Sequence, residues 1–297
     1  MQISELWQQF YLHLRARRRT AATLRYYECT ERVFARFLEA QGLVLMAEDV
    51  RVSHLRLFLR WLEDQGLNIG GVHAHARAVR ALFNWSAHEE ILEKSPAQRL
   101  ELPTLVRERM PTVTAAVVKS LLGACRDSDQ PLRDAALIVT LFDTGLRVQE
   151  LVDLRMTDLL FPQGLIRVLG KGNKERFVPI GAKATLAVNA YLRKERRPAV
   201  AGQEQVLLNR GGQPLTKSGV QIRLSKLAVR VKIARQDCAP HAFRRGFAVE
   251  FLRNGGDVFT LQQILGHSSL DMTRRYVTYL DGDLKAAHLR FSPGDRL

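Results

Sequence analysis

Apolar positions along the chain follow two regimes. Through the first hundred residues they recur at spacings of three and four, the pattern of amphipathic helices that each bury one stripe. Leu6, Trp7, Phe10, Tyr11 and Leu14 mark a helix from Ile3 to near Arg18, and Leu24, Tyr27, Val33, Phe34, Phe37 and Leu38 mark a second from Thr20 to Gln41, stopped by Gly42. Ser53 is the expected N-cap of HLRLFLRWLEDQ, which closes at Gly66. Val79, Leu82, Phe83 and Trp85 place a fourth helix over Gly71 to Glu89. No period-two strand signal interrupts these four.

From Ser95 to Pro111 the stretch SPAQRLELPTLVRERMP holds three prolines and no period, so residues 101–111 are expected to be an extended linker. Beyond it, Thr114 to Arg126 and RDAALIVTLFDTG read as helices, the second ended by Gly145, and LRVQELVDLRMTDL resumes helical spacing. Three short alternating runs follow, near Asp158 to Phe161, Leu165 to Leu169 and Arg176 to Ile180, separated by PQG and GKGNKE. They predict a small antiparallel sheet with tight turns. From Ala182 onward the pattern is helical apart from a loop near NRGGQP, and DGDLKAAHLRF reads as a short terminal helix before an irregular tail. The expected fold class is mainly α with a small antiparallel β-sheet in the C-terminal domain. The expected divisions are 1–100, a linker at 101–111, and 112–297.

Composition sharpens this picture mainly through charge. The chain has 45 Lys and Arg against 30 Asp and Glu, a formal net charge of +15, which suits a partner rich in phosphate. The excess is uneven: residues 1–100 carry 14 basic against 11 acidic side chains, and residues 101–297 carry 31 against 19. Cys29, Cys125 and Cys238 lack CxxC spacing, which speaks against a disulfide framework or a zinc site and fits a reducing cytoplasm. The N-terminal segment has neither the uninterrupted apolar core nor the cleavage site of a signal peptide, and no apolar run reaches membrane-spanning length. No membrane partner is expected.

Candidate chemistry concentrates between Pro240 and Tyr279. His241 and Arg244 stand three apart and share a helix face, His267 ends a short helix in LGHSS, and Tyr276 follows nine residues later. Upstream, Arg147 and Glu150 are also three apart, so the carboxylate can orient the guanidinium. GKGNKER lacks the third glycine of GxGxxG and the Ser or Thr of a P-loop, so Lys171 reads as a cation at a hairpin tip. His73 and His75, two apart on a helix, face different ways and have no companion ligand, so neither is expected to hold a metal.

Taken in order, Arg147 in TGLRVQEL, Lys171 in GKGNKER, His241 and Arg244 in HAFRR, His267 in LGHSS and Tyr276 in RRYVTY resemble the tyrosine recombinase, or phage integrase, family. The resemblance covers nearly the whole chain. It implies a two-domain DNA clamp, with 1–100 as the helical core-binding domain and 112–297 as the α+β catalytic domain. It further implies site-specific DNA strand exchange through a 3′-phosphotyrosine on Tyr276 and a four-way junction. Arg147 and Arg244 would bind the non-bridging phosphate oxygens, Lys171 would protonate the leaving 5′-oxygen, and His241 and His267 would bond the phosphate or manage the tyrosine proton. The implied partners are double-stranded DNA and three further copies of the chain in a tetramer on two DNA sites, with room for a related recombinase or an accessory protein.

The implied catalytic set contains no carboxylate cluster and needs no cofactor or metal, so activity in EDTA is expected. Tyr279 competes with Tyr276 for the nucleophile, being three residues away on a similar helix face, and the spacing from His267 that the family resemblance implies favours Tyr276. Arg245, Arg274, Arg275, Lys174 and Arg176 are weaker candidates for phosphate contacts. Integration of a mobile element is the leading role, with Xer-type resolution of chromosome or plasmid dimers as the alternative. A type IB topoisomerase, which rejoins the same strand, and a non-catalytic DNA-binding regulator stand further off.

Overall fold

The computed structural model describes residues 1–105, 110–170, 174–267, 269–277, 288–289 and 292–296. Two compact units emerge, Met1–Glu108 and Arg109–Leu297.

The described residues of the first unit form four helices, α1 (Ile3–Ala16), α2 (Ala21–Ala40), α3 (Val52–Asp64) and α4 (Ile69–His88). Their stripes meet as the periodicity predicts: Leu6, Phe37, Leu55, Phe58, Leu62, Val79, Leu82 and Phe83 have no exposed surface. Each such side chain contributes about 1.5–3 kcal/mol on leaving water. Phe58 meets Phe34 edge-on at 4.9 Å between ring centroids, which ties α3 to α2. Capping sets the helix starts. Thr20 Oγ1 accepts from Thr23 N at 3.3 Å, and Asn68 Oδ1 accepts from Gly71 N at 2.8 Å, which starts α4 two residues before the expected Gly71. Ser53 is not the cap of α3. The helix starts at Val52 with Arg51 as N-cap, and the His54 ring accepts the Arg51 N–H at 3.2 Å in place of a hydroxyl. His73 and His75 part company: His73 Nδ1 meets the Pro103 carbonyl at 2.9 Å, and His75 Nδ1 meets Thr30 Oγ1 at 2.9 Å.

The second unit is built round a helix buried on most sides. After α5 (Ala115–Cys125), helix α6 (Pro131–Thr144) buries Ala136, Leu137, Ile138 and Leu141. Helix α7 (Val148–Asp153) is shorter than the helical spacing predicts. At Leu154 and Arg155 the chain turns extended, because Asp158 accepts the Arg155 N–H at 2.9 Å and Leu154 and Met156 bond instead to Val206 and Glu204. The strands are β1 (Leu159–Leu160), β2 (Leu165–Leu169) and β3 (Glu175–Pro179), antiparallel in the order β1-β2-β3, with Leu165 opposite Pro179 and Leu169 opposite Glu175. Val178 and Ile166 of the sheet turn into the core.

Helices α8 (Ala182–Lys194), α9 (Lys217–Arg230), α10 (Pro240–Arg253), α11 (Val258–Leu265) and α12 (Leu270–Val277) complete the described unit. The irregular stretch between α8 and α9 is longer than NRGGQP alone. Its order comes from side chains: Arg196 donates to the carbonyls of Gln203, Gln205 and Val206, and the buried Tyr191 hydroxyl accepts the Leu208 N–H at 3.0 Å. Inside the core Arg133 and Arg223 each approach Asp134 to 2.6 Å, so the buried carboxylate is paired on both sides. The expected terminal helix DGDLKAAHLRF lies, except for His288 and Leu289, outside the described residues. No helix among the described residues is long and apolar enough to cross a membrane.

Candidate active site

Two helix ends and a histidine ring converge on one guanidinium. Arg244, on the inner face of α10, is 5% exposed and donates to Gly145 O at 2.6 Å, to Leu265 O at 2.7 Å and to His267 Nε2 at 3.0 Å. Gly145 and Leu265 lie at the C-terminal ends of α6 and α11, where carbonyls lack helical partners and the helix dipole is negative, so a cation suits both. Gly145 must be glycine here. Its φ is +61°, and a Cβ would stand 2.4 Å from Phe247 Cδ1 and 2.9 Å from Leu265 Cδ2. A second close approach holds α10 in place: a Cβ on Gly246 would stand 2.1 Å from Val113 O, and Val113 N donates to Ala242 O at 3.1 Å.

Arg147 enters from α7, as its N-cap residue. Its backbone N–H donates to Glu150 Oε2 at 2.9 Å and its Nη1 to Oε1 at 2.8 Å, the orientation expected from the three-residue spacing. Glu150 is 8% exposed, and Arg176 of β3 grips it from the other side with a fork of 2.9 and 2.8 Å. Burial raises the Glu150 carboxyl, but the bonds from Arg176 and Arg147 outweigh it and hold it below the ordinary value. Arg176 also donates through Nε to Ile264 O at 3.0 Å.

His267 follows Gly266, the left-handed cap of α11, and its ring is enclosed. Arg244 can only donate, so Nε2 accepts and the neutral ring carries its proton on Nδ1, which faces Thr273 Oγ1 at 2.9 Å. Burial first, then the charges of Arg244, Arg147, Arg176 and Arg275, pull His267 from 6.5 to about 4, so the ring is neutral at physiological pH. Burial, followed by the like charge of Arg147, also brings Arg244 down to about 10, still cationic. Tyr276, half-buried on α12, stacks on His267 with centroids 6.1 Å apart and planes 23° apart, and packs against Ala248, Leu261 and Leu265.

The structure therefore brings Arg147, Arg244, His267 and Tyr276 together. His241 stands exposed in the first turn of α10 while Arg244 three residues on is buried, so their shared face runs from solvent into the site. Partial desolvation and the charges of Arg245, Arg244, Lys217 and Arg147 hold His241 below its ordinary value. Lys171 and Tyr279 lie outside the described residues. Flanking Lys171, Gly170 N donates to Lys174 O at 2.8 Å across the β2–β3 connection. Of the weaker candidates, Arg245 donates to Pro111 O at 2.7 Å and Arg176 to Glu150, so both brace the protein. Lys174, Arg274 and Arg275 are exposed. Sequence reasoning marks Arg176 only as a weak phosphate candidate and misses Thr273. Arg176 shares the inner face of β3 with Val178, a period-two signal, and Thr273 sits one helical turn before Tyr276.

Comparison with known proteins places this site in context. The model of the phage integrase family matches residues 111–282. A tyrosine recombinase XerC of Oceanobacillus iheyensis is 32% identical over 277 residues, covering 91% of this chain and 90% of that protein. A tyrosine recombinase XerD of Halalkalibacterium halodurans is 33% identical over 219 residues, 73% of each chain. Among solved structures, the Tn1549 transposon integrase in complex with a circular intermediate DNA aligns with a TM-score of 0.75 at 20% identity, over 93% of this chain and 95% of that one. A lambda integrase dimer bound to a core site aligns with a TM-score of 0.72 at 17% identity, over 93% and 77%. These two structures share the mainly helical two-domain fold. The chain belongs to the phage integrase family and is an Xer-like tyrosine recombinase, a DNA breaking-rejoining enzyme.

Proposed function

We propose that the chain carries out site-specific DNA recombination with Tyr276 as nucleophile and with Arg147, Lys171, His241, Arg244 and His267 as its catalytic partners. The observation that carries this reading is the continuous contact from the Tyr276 ring to His267 and on to the buried Arg244. Tyr276 Oη attacks the phosphorus, the bond from phosphorus to the 5′-oxygen breaks, and a 3′-phosphotyrosine and a 5′-hydroxyl result. The phosphoester bond is conserved on the enzyme, so a 5′-hydroxyl from another strand can reverse the step with no external energy source.

Each side chain takes the part its surroundings allow. Arg147, the more exposed of the two site arginines, donates to the non-bridging oxygens, where negative charge grows in the transition state. Arg244, with three bonds inside the protein, supplies charge and fixes the ends of α6 and α11 around the phosphate. His267 has both ring nitrogens engaged and orients Arg244. His241, exposed and held neutral, takes the tyrosine proton. Lys171 gives a proton to the 5′-oxygen, as the family resemblance implies.

Double-stranded DNA is the substrate, and a tetramer on two sites is the working assembly. The leading role is integration of a mobile element. A second reading, Xer-type dimer resolution, is favoured by the XerC relative, whose likeness spans nine-tenths of both chains. The test of the reaction is formation of a denaturation-resistant protein–DNA adduct on nicked duplexes captured from a random-sequence library. Tyr276→Phe abolishes the adduct and Tyr279→Phe retains it; the reverse pattern overturns the assignment.

A further inference from the structure

Glu150 accepts four hydrogen bonds, two from Arg147 and two from Arg176, in a site from which water is largely removed. A carboxylate paired with Arg147 alone would cancel the charge that a phosphate is meant to meet. Arg176 changes that balance. Its side chain is 14% exposed, and its guanidinium forks onto both Glu150 oxygens and anchors its remaining nitrogen on Ile264 O, one residue before the carbonyl that holds Arg244. One carboxylate between two guanidiniums leaves a net positive charge, and the more exposed member, Arg147 at 36% against 14%, carries it outward. Bracing a strand end needs no such arrangement, because β3 already pairs with β2 along its whole length.

We infer that Arg176 is a positioning residue for the cleavage reaction: by neutralising Glu150 it leaves Arg147 cationic toward the scissile phosphate, and through Ile264 it ties that charge to the loop that holds Arg244 and His267. The inference rests on the proposed recombinase chemistry of this site.

The test compares two nicked duplexes of one captured sequence, one with an ordinary phosphodiester at the cleaved position and one with a neutral methylphosphonate. The neutral group develops less charge and so depends less on a net cationic Arg147. Arg176→Gln is expected to slow single-turnover adduct formation about 100-fold on the phosphodiester and less than about tenfold on the methylphosphonate. Arg176→Lys, which keeps the charge without the fork, recovers part of the phosphodiester rate, as does Arg176→Gln combined with Glu150→Gln, which removes the carboxylate that would otherwise cancel the charge of Arg147. Comparing two substrates on one protein cancels any loss of folded enzyme. Equal losses on both substrates would overturn the inference and leave the recombinase reading intact. Failure of the wild-type chain to form an adduct on the phosphodiester would overturn both.

Discussion

Replacing Thr273 with valine tests how the nucleophile's helix is joined to the charged site. Thr273 has no exposed surface and accepts the Nδ1 proton of His267 at 2.9 Å. Valine keeps the shape and removes the oxygen, so a buried N–H loses its partner at a cost of about 1–3 kcal/mol. Moving the ring proton to Nε2 gives no escape, because Nε2 would then face Arg244 Nη2 at 3.0 Å, donor to donor. Since about 1.4 kcal/mol is a tenfold change in rate, adduct formation should slow by about 5- to 150-fold if the loss is felt in the transition state. Melting should fall by about 2–4 °C for each kcal/mol. The assay is single-turnover adduct formation on a nicked duplex, run beside a thermal melt and with Thr273→Ser, which keeps the oxygen and should retain most of the rate. A valine variant as fast and as stable as wild type, or a serine variant slower than valine, would refute the reasoning.

Other consequences follow from the same contacts. Gly145→Ala puts a methyl at φ +61° within 2.4 Å of Phe247, so backbone strain of about 1–2 kcal/mol adds to overpacking of about 1–3 kcal/mol; melting drops, and the turn that presents the residue 145 carbonyl to Arg244 is displaced. Because the folded His267 titrates near 4 instead of 6.5, the unfolded chain binds more protons between those values, so stability present above pH 6.5 is lost as pH falls toward 4, by about 3 kcal/mol. His75 and His241 shift the same way, so the His267 share is read as the slope of stability with pH that His267→Gln removes. Lys171→Ala should block cleavage of ordinary DNA yet cleave well when the 5′ leaving atom is sulfur, which needs no proton; a block that persists with sulfur would remove Lys171 as the acid.

How much of this was legible in the sequence depends on the range of the interaction concerned. The amphipathic helices follow from three-and-four spacing, and the small sheet from alternating runs broken by glycine turns, because both patterns are local. Gly145 was readable as a helix stop, but its need for glycine against Phe247 comes from a contact a hundred residues away. Ser53 misled because a hydroxyl is the usual N-cap, whereas here Arg51 is the N-cap and the His54 ring, three residues on, accepts the Arg51 N–H. Arg176 read as one more basic residue near a hairpin, since its carboxylate partner lies 26 positions upstream. The irregular stretch before α9 depends on Arg196 meeting three carbonyls, which no period encodes. The order of Arg147, His241, Arg244, His267 and Tyr276 was visible, whereas the division between buried and exposed members was not. Arg244 and His267 lie inside, and Arg147 and His241 reach toward solvent.

The most direct measurement on the central claim is peptide mapping of the wild-type covalent adduct. DNA captured on a nicked duplex is trimmed to a short nucleotide remnant, the protein is digested, and the modified peptide is sequenced by mass spectrometry. The account predicts a 3′-linked nucleotide on Tyr276, formed equally well in EDTA. A remnant on Tyr279 or on any other residue, or an adduct that vanishes when divalent ions are removed, would contradict it.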